Sequence, residues 1–182
     1  MAILNVGGVA NVTWIGAGDS GGVDLLAFDT GPGNAMIDDW MLARTGNPMD
    51  KDGALAATGN VRDDIVDAML NDDYFKRPPP KSLDRNAFSA DRVAGLSPSD
   101  GAATLTAFTV AAAGRALDHF SAPPARWLVC GGGRRNRTLM SMLAARVKAP
   151  LDPIEAVGWD GDSLEAQAFG YLAVRHLRGL PI

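Results

Sequence analysis

A chain of 182 residues is long enough for one substantial hydrophobic core, and one domain is the simplest division of it. Its 17 lysines and arginines against 21 aspartates and glutamates leave a net charge of −4, which offers no electrostatic footprint for nucleic acid or an anionic membrane. The single cysteine, Cys130, excludes an internal disulfide and suits a reducing cytoplasm, and no apolar stretch reaches the length of a membrane span.

The first residues, Met1-Ala2-Ile3-Leu4-Asn5, lack the basic and apolar regions of a signal peptide and enter strand-like sequence at once, an abrupt start for a complete domain. Residues 3–6, 9–15 and 23–28 read as three strands of an antiparallel meander, separated by Gly7-Gly8 and by a turn region over 16–22. Asp29-Thr30-Gly31 then reads as a turn, and Asn34 as the cap of a helix whose apolar residues Met36, Ile37, Trp40 and Met41 fall on one side. Asp38 and Asp39 fall on the other side, and Gly46 with Pro48 beyond it stops the helix.

The stretch from 47 to about 100 is more polar and is broken by Pro78-Pro79-Pro80, so it reads as a polar helical insertion or surface lobe with a short helix over 61–70. Asp50-Lys51-Asp52-Gly53 lacks the later ligands of a calcium loop and reads as a turn. An alanine-rich run from 102 to 119 has the small residues of a closely packed buried helix, with His119 as a capping or dipole-favoured side chain near its end. The pattern then becomes strand 126–130, helix 138–147, strand 150–154 and helix 163–178. Arg134, Arg135 and Arg137 read as the solvated start of the first of these helices. Asp162-Ser163-Leu164-Glu165 has the spacing of a capping box for the second, with Asp162 as cap and Glu165 reaching back. This order of elements is that of an α/β, ribonuclease-H-like (actin-like ATPase) mixed sheet with helices packed on it.

Three glycine-rich stretches follow apolar runs: NVGGVAN at 5–11, DTGPGN at 29–34 and CGGGRRN at 130–136. Glycine lets the backbone approach a ligand closely, and strand-to-turn junctions expose N–H donors suited to phosphate. Each is weak alone, since none has the Walker A or dinucleotide spacing and each has an ordinary turn reading. Asp-Thr-Gly also occurs in homodimeric aspartic proteases, but Pro32 replaces the small residue expected next and the helices do not suit that all-β class.

Taken together, LNVGGVANVTW, AFDTGPGNAMIDDW, PPPKS, LVCGGGRRN and SLEAQAFGYLAVR resemble, in order and spacing, the anhydro-N-acetylmuramic acid kinases of the sugar kinase, Hsp70 and actin superfamily. The resemblance runs from Leu4 to Pro181. It implies ATP-dependent, Mg²⁺-assisted phosphorylation of 1,6-anhydro-N-acetylmuramic acid, with water opening the anhydro bridge, in peptidoglycan recycling. It assigns Asn5, Gly7, Gly8 and Asn11 to the second phosphate loop, and Gly131, Gly132, Gly133 and Asn136 to the adenosine contact. Asp29, Thr30, Gly31, Gly33 and Asn34 are assigned to the cleft that faces sugar or phosphates, and Glu165 to a supporting carboxylate that orients the sugar or the attacking water. Many superfamily members carry Asp where Asn5 stands, so this position is not assigned to the metal.

The resemblance also implies that residues 1–182 form the C-terminal ATPase-type domain of a kinase about twice as long. The first phosphate loop and the main catalytic aspartate are expected upstream, outside this chain. Phosphoryl transfer relies on positioning from both sides of the nucleotide, so this half alone is expected to be nearly inert. The alternatives are a nucleotide-binding or dimerisation module without catalysis, a homodimer included, and a kinase for another amino sugar.

Overall fold

In the computed structural model, which describes residues 1–17 and 22–181, a five-stranded sheet runs in the order β3-β2-β1-β4-β5. Strands β1 (Ala2–Val6), β2 (Val9–Ala17) and β3 (Val23–Pro32) pair antiparallel, while β4 (Trp127–Cys130) and β5 (Leu151–Pro153) continue the sheet parallel to β1. The three-strand meander is therefore present. The turn expected over 16–22 falls at positions 18–21 outside the described residues.

Alternation along the strands gives the sheet two unlike faces. Ala2, Leu4 and Val6 of β1, Val12 of β2, Phe28 of β3 and Trp127 and Val129 of β4 are buried on one face. They pack against α4 (Pro98–Gly114) and α5 (Arg137–Val147), the latter through Leu139, Leu143 and Val147. Ile3 and Asn5 of β1 and Asn11 and Thr13 of β2 point to the other face and are only half-buried. That face carries the candidate site.

Helix α4 is buried along almost its whole length, as its small residues require. Ser97 caps it by accepting from the backbone N–H of Asp100, and Pro98 occupies its first turn. Its Gly101 has no side chain because the Trp40 indole lies there. The other side of α4 meets a second core, built with α1 (Ala35–Thr45), α2 (Asp63–Leu70) and α3 (Asp73–Lys76). The stretch 47–100 thus contributes Ala56, Val66, Met69, Tyr74, Phe75 and Val93 to a packed interior while its polar residues face outward.

His119 differs from its expected role as a helix cap. It lies in the 3₁₀ turn Arg115–His119 and meets the Phe28 ring edge-on at 5.4 Å, and burial pushes its pKa down. Packing has taken the ring that helix-end electrostatics would have used.

The last helix, α6 (Leu164–Leu177), buries none of its residues. Leu164 packs partly beside Ile3, Leu128, Cys130 and Ile154, whereas Phe169 and Leu177 are 67% and 83% exposed.

Candidate functional site

The Gly7-Gly8 turn between β1 and β2 is locked to the start of α1. The N–H groups of Gly33 and Asn34 donate to the carbonyls of Gly8 and Gly7 at 2.9 and 2.7 Å, and that of Ala35 donates to Gly8 at 3.2 Å. These donors at the helix start are already engaged by protein carbonyls. Asn34 occupies the N-cap position, but its side chain caps nothing. Its Nδ2 donates to the Val6 carbonyl at 3.0 Å, which ties the end of β1 to α1.

The expected turn at Asp29-Thr30-Gly31 is instead strand. Pairing with β2 continues through Pro32 past a bulge, with Asn11 opposite Asp29 and Ala10 opposite Gly31, so Thr30 is the extra residue. Thr30 is buried and its Oγ1 donates to the Ala10 carbonyl at 3.2 Å. Asp29 stands on the same face of the sheet as its partner Asn11, since residues directly opposite in an antiparallel pair share a face. Its Oδ2 accepts from the backbone N–H of Leu83 at 2.7 Å, its N–H donates to Lys81, and its carbonyl accepts from the Tyr74 hydroxyl. The PPPKS segment is thereby fastened to the Asp-Thr-Gly strand.

At the other side of β1, Gly131 turns the chain out of β4 with φ 74°, and a Cβ there would lie 2.7 Å from the Val6 carbonyl oxygen and press on the Asn5 amide. Gly133 is buried against Val6. Asn136 caps α5 by accepting from the backbone N–H of Leu139 at 2.9 Å.

Two cavities flank this loop. The first, of about 510 Å³, is bordered by Asn5, Gly7, Asn11, Cys130, Gly131, Gly132, Arg134, Asp162 and Glu165. The second, of about 360 Å³, is bordered by Asn34, Asp38, the turn Asp50 to Asp52, Gly132, Arg135 and Asn136. Gly132 belongs to both. Tertiary structure thus brings Asn5, Gly7, Asn11, Gly131, Gly132 and Glu165 together, and Asn34, Gly132 and Asn136 together beside them. Gly133 is buried behind the wall, Gly8 is exposed on the turn, and neither they nor Asp29, Thr30, Gly31 and Gly33 border either cavity.

Arg137 opens α5 exposed, as expected of a solvated helix start, whereas Arg134 and Arg135 are drawn into ion pairs. Arg134 is 5% exposed and donates from Nε to Glu155 Oε1 at 2.7 Å, from Nη2 to Asp162 Oδ1 at 2.9 Å and from Nη1 to the Gly131 carbonyl at 2.9 Å. Arg135 pairs with the other oxygen of Asp162. Those pairings dismantle the expected capping box: Asp162 is drawn off to the arginines and Ser163 takes the cap position without a side-chain cap bond. Among the described residues the Glu165 carboxylate has no hydrogen-bonding protein partner, and it borders the first cavity. Cys130 behaves as a small buried hydrophobe, with its thiol pushed up by burial.

The spacing puts Asp38 on the outer side of α1, yet it borders the second cavity. Burial pushes its carboxyl up to about 6, with Arg85 opposing and Asp39 reinforcing the shift. The 3₁₀ turn Lys51–Gly53 closes over it, held by the Thr138 hydroxyl donating to the Gly53 carbonyl at 2.7 Å. Asp50 is used within that turn, accepting from the N–H groups of Leu55 and Ala56. The turn is as expected, and no group of three or more His, Cys, Asp or Glu residues among the described residues is arranged to hold a metal by itself. No helix of the described residues is long and apolar enough to cross a membrane.

Comparison with known proteins bears on this geometry. The family model for anhydro-N-acetylmuramic acid kinase matches residues 1–182. A protein of that name from Rhodospirillum rubrum is 61% identical across the whole chain, which spans 48% of that relative's length. Among solved structures, a xylulose kinase from Rhodospirillum rubrum superposes with a TM-score of 0.57 at 16% identity, over 84% of this chain and 34% of that one. The activator of the 2-hydroxyisocaproyl-CoA dehydratase from Clostridium difficile, solved with bound ADPNP, gives 0.50 at 13% identity over 84% of this chain and 53% of its own. At those identities the likeness speaks for the fold, a mixed sheet with helices as in the sugar kinases and actin-like ATPases. The sequence match carries further: the chain belongs to the anhydro-N-acetylmuramic acid kinase family.

Proposed function

We propose that this chain is the C-terminal, nucleotide-gripping half of an ATP-dependent kinase that converts 1,6-anhydro-N-acetylmuramic acid to N-acetylmuramic acid 6-phosphate in the cytoplasm, for peptidoglycan recycling. The observation that carries the reading is the convergence of Asn5, Gly7, Asn11, Gly131, Gly132 and Glu165 on one cavity, with a second cavity sharing Gly132. The first cavity takes the phosphates, and the second takes the adenosine end. Asp29, Thr30, Gly31 and Gly33 are assigned to the sugar side, with Asp29 on the strand face shared with Asn11, while Asn34 borders the second cavity.

Mg²⁺ suits the donors present. Mg²⁺ bound with nucleotide phosphates keeps several waters and needs only one or two protein carboxylates, and Glu165 is a cavity carboxylate that no other side chain among the described residues engages. When bound, the ion would neutralise charge developing on the transferring phosphoryl group. Glu165 would hold it or orient the attacking water.

The chain spans about half the length of the relative described above, so half a cleft is present and catalysis needs the remainder. Titrating the isolated chain with MgATP by calorimetry tests the nucleotide reading, and binding with a concentration-dependent rise in Tm is expected. Absence of any nucleotide binding would overturn it. A second reading, a non-catalytic module that dimerises, draws on the exposed apolar residues of α6, including Phe169, Val174 and Leu177. Sedimentation equilibrium separates the two: a monomer that binds MgATP favours the kinase half.

A further inference from the structure

Arg134 lies in the wall of the phosphate cavity but plays no part in the binding roles above. Its guanidinium is almost fully buried and engages three separate segments. Gly131 belongs to the loop after β4, Glu155 to the 3₁₀ turn Ile154–Val157 after β5, and Asp162 to the approach to α6. The two carboxylates flank a single loop, and Gly161 of that loop rests directly on the guanidinium. A Cβ at Gly161 would lie 2.5 Å from Arg134 Nε and 2.7 Å from Cζ.

A buried guanidinium is stable only while its partners keep their geometry, because losing one leaves a desolvated charge. The planar fork of arginine also fixes the directions of its three bonds, which the compact ammonium of lysine cannot do. The fork thus links the loop 155–162 to the glycine loop through three hydrogen bonds. Glu165 follows Asp162 by three residues, at the first turn of a helix that buries nothing. The packing of α6 offers little to hold that carboxylate over the cavity, whereas the Arg134 fork acts just before it.

We propose that Arg134 is a positioning residue: it clamps the start of α6 to the glycine loop, so that nucleotide on the loop and the placement of Glu165 are coupled. The link to Glu165 chemistry rests on the kinase reading, while the clamp itself is a property of the free chain. Hydrogen exchange of the intact chain, followed over residues 155–167, addresses both. In the chain without ligand, Arg134→Ala and Gly161→Ala are expected to speed exchange there by about tenfold or more, as local opening becomes easier. Arg134→Lys should restore little of the protection.

With MgATP the wild-type chain should gain protection over 160–167, and Arg134→Ala should still bind the nucleotide but lose that gain. Wild-type exchange rates in both Arg134→Ala and Gly161→Ala would overturn the clamp, and so would full rescue by lysine. An Arg134→Ala chain that binds MgATP and shows the wild-type gain would overturn the coupling. Should Arg134→Ala fail to fold, Gly161→Ala, which displaces the guanidinium without deleting it, decides both points. If the wild-type chain binds no nucleotide, the kinase reading fails and the coupling with it, while exchange in the free chain still decides the clamp.

Discussion

Asp38 shows how one side chain can tie the site to pH. Its folded pKa is raised to about 6, so between the ordinary carboxylate range and pH 6 the folded chain holds a proton that the unfolded chain has lost. Stability from this group is therefore full at low pH and declines as pH rises through 6. Asp38→Asn is expected to stabilise the fold at pH 7.5 by about 1 kcal/mol, the shift being discounted because the carboxyl is only half-buried, and to change nothing near pH 3. Urea unfolding at the two pH values measures it, and an equal effect at both would refute the assignment. Gly131 and Gly132 should separate fold from ligand. Gly131→Ala meets a positive φ and the Val6 carbonyl, and is expected to destabilise by about 1–3 kcal/mol. Gly132→Val has ordinary space at its Cβ, nearest the Asn34 amide at 3.6 Å, and should keep its Tm while weakening MgATP binding about tenfold or more through obstruction of both cavities. Calorimetric titration alongside thermal unfolding tests the contrast.

At the scale of elements, the strands and helices of the sheet layer were legible because local pattern and tertiary demand coincide. Val6, Val12 and Phe28 alternate toward the α4–α5 side, and α5 shows Leu139, Leu143 and Val147 on one stripe. Leu143 is fully buried there, and Leu143→Ala is expected to cost about 2–5 kcal/mol in chemical denaturation. Departures occurred where a distant partner outbid a local one. Asp162 and Glu165 have capping-box spacing, but the Arg134 and Arg135 guanidinium groups, 28 and 27 residues away, take Asp162. The Asp-Thr-Gly turn became strand because β2 offers pairing beyond the bulge. An ion pair formed between distant loops has no periodic signature, and neither does a bulge.

For the whole molecule, the central expectation is incompleteness of chemistry. Positioning from both sides of a nucleotide supplies most of the rate in phosphoryl transfer, so the isolated chain should turn over ATP against 1,6-anhydro-N-acetylmuramic acid at least about 10³-fold more slowly than a full-length relative. A coupled assay of both proteins at equal concentration checks this, and comparable turnover would require a complete site within this chain. The sequence by itself determined the family and the order of the main strands and helices, since these depend on residue type and local periodicity. Which residues meet was left to the tertiary structure. Sheet pairing and buried charge are long-range effects: they set Glu165 over the Asn5 and Gly131 cavity, bring Asp38 to the neighbouring one and engage Arg134 in a three-way fork, while leaving Asp29 to Gly33 outside both cavities.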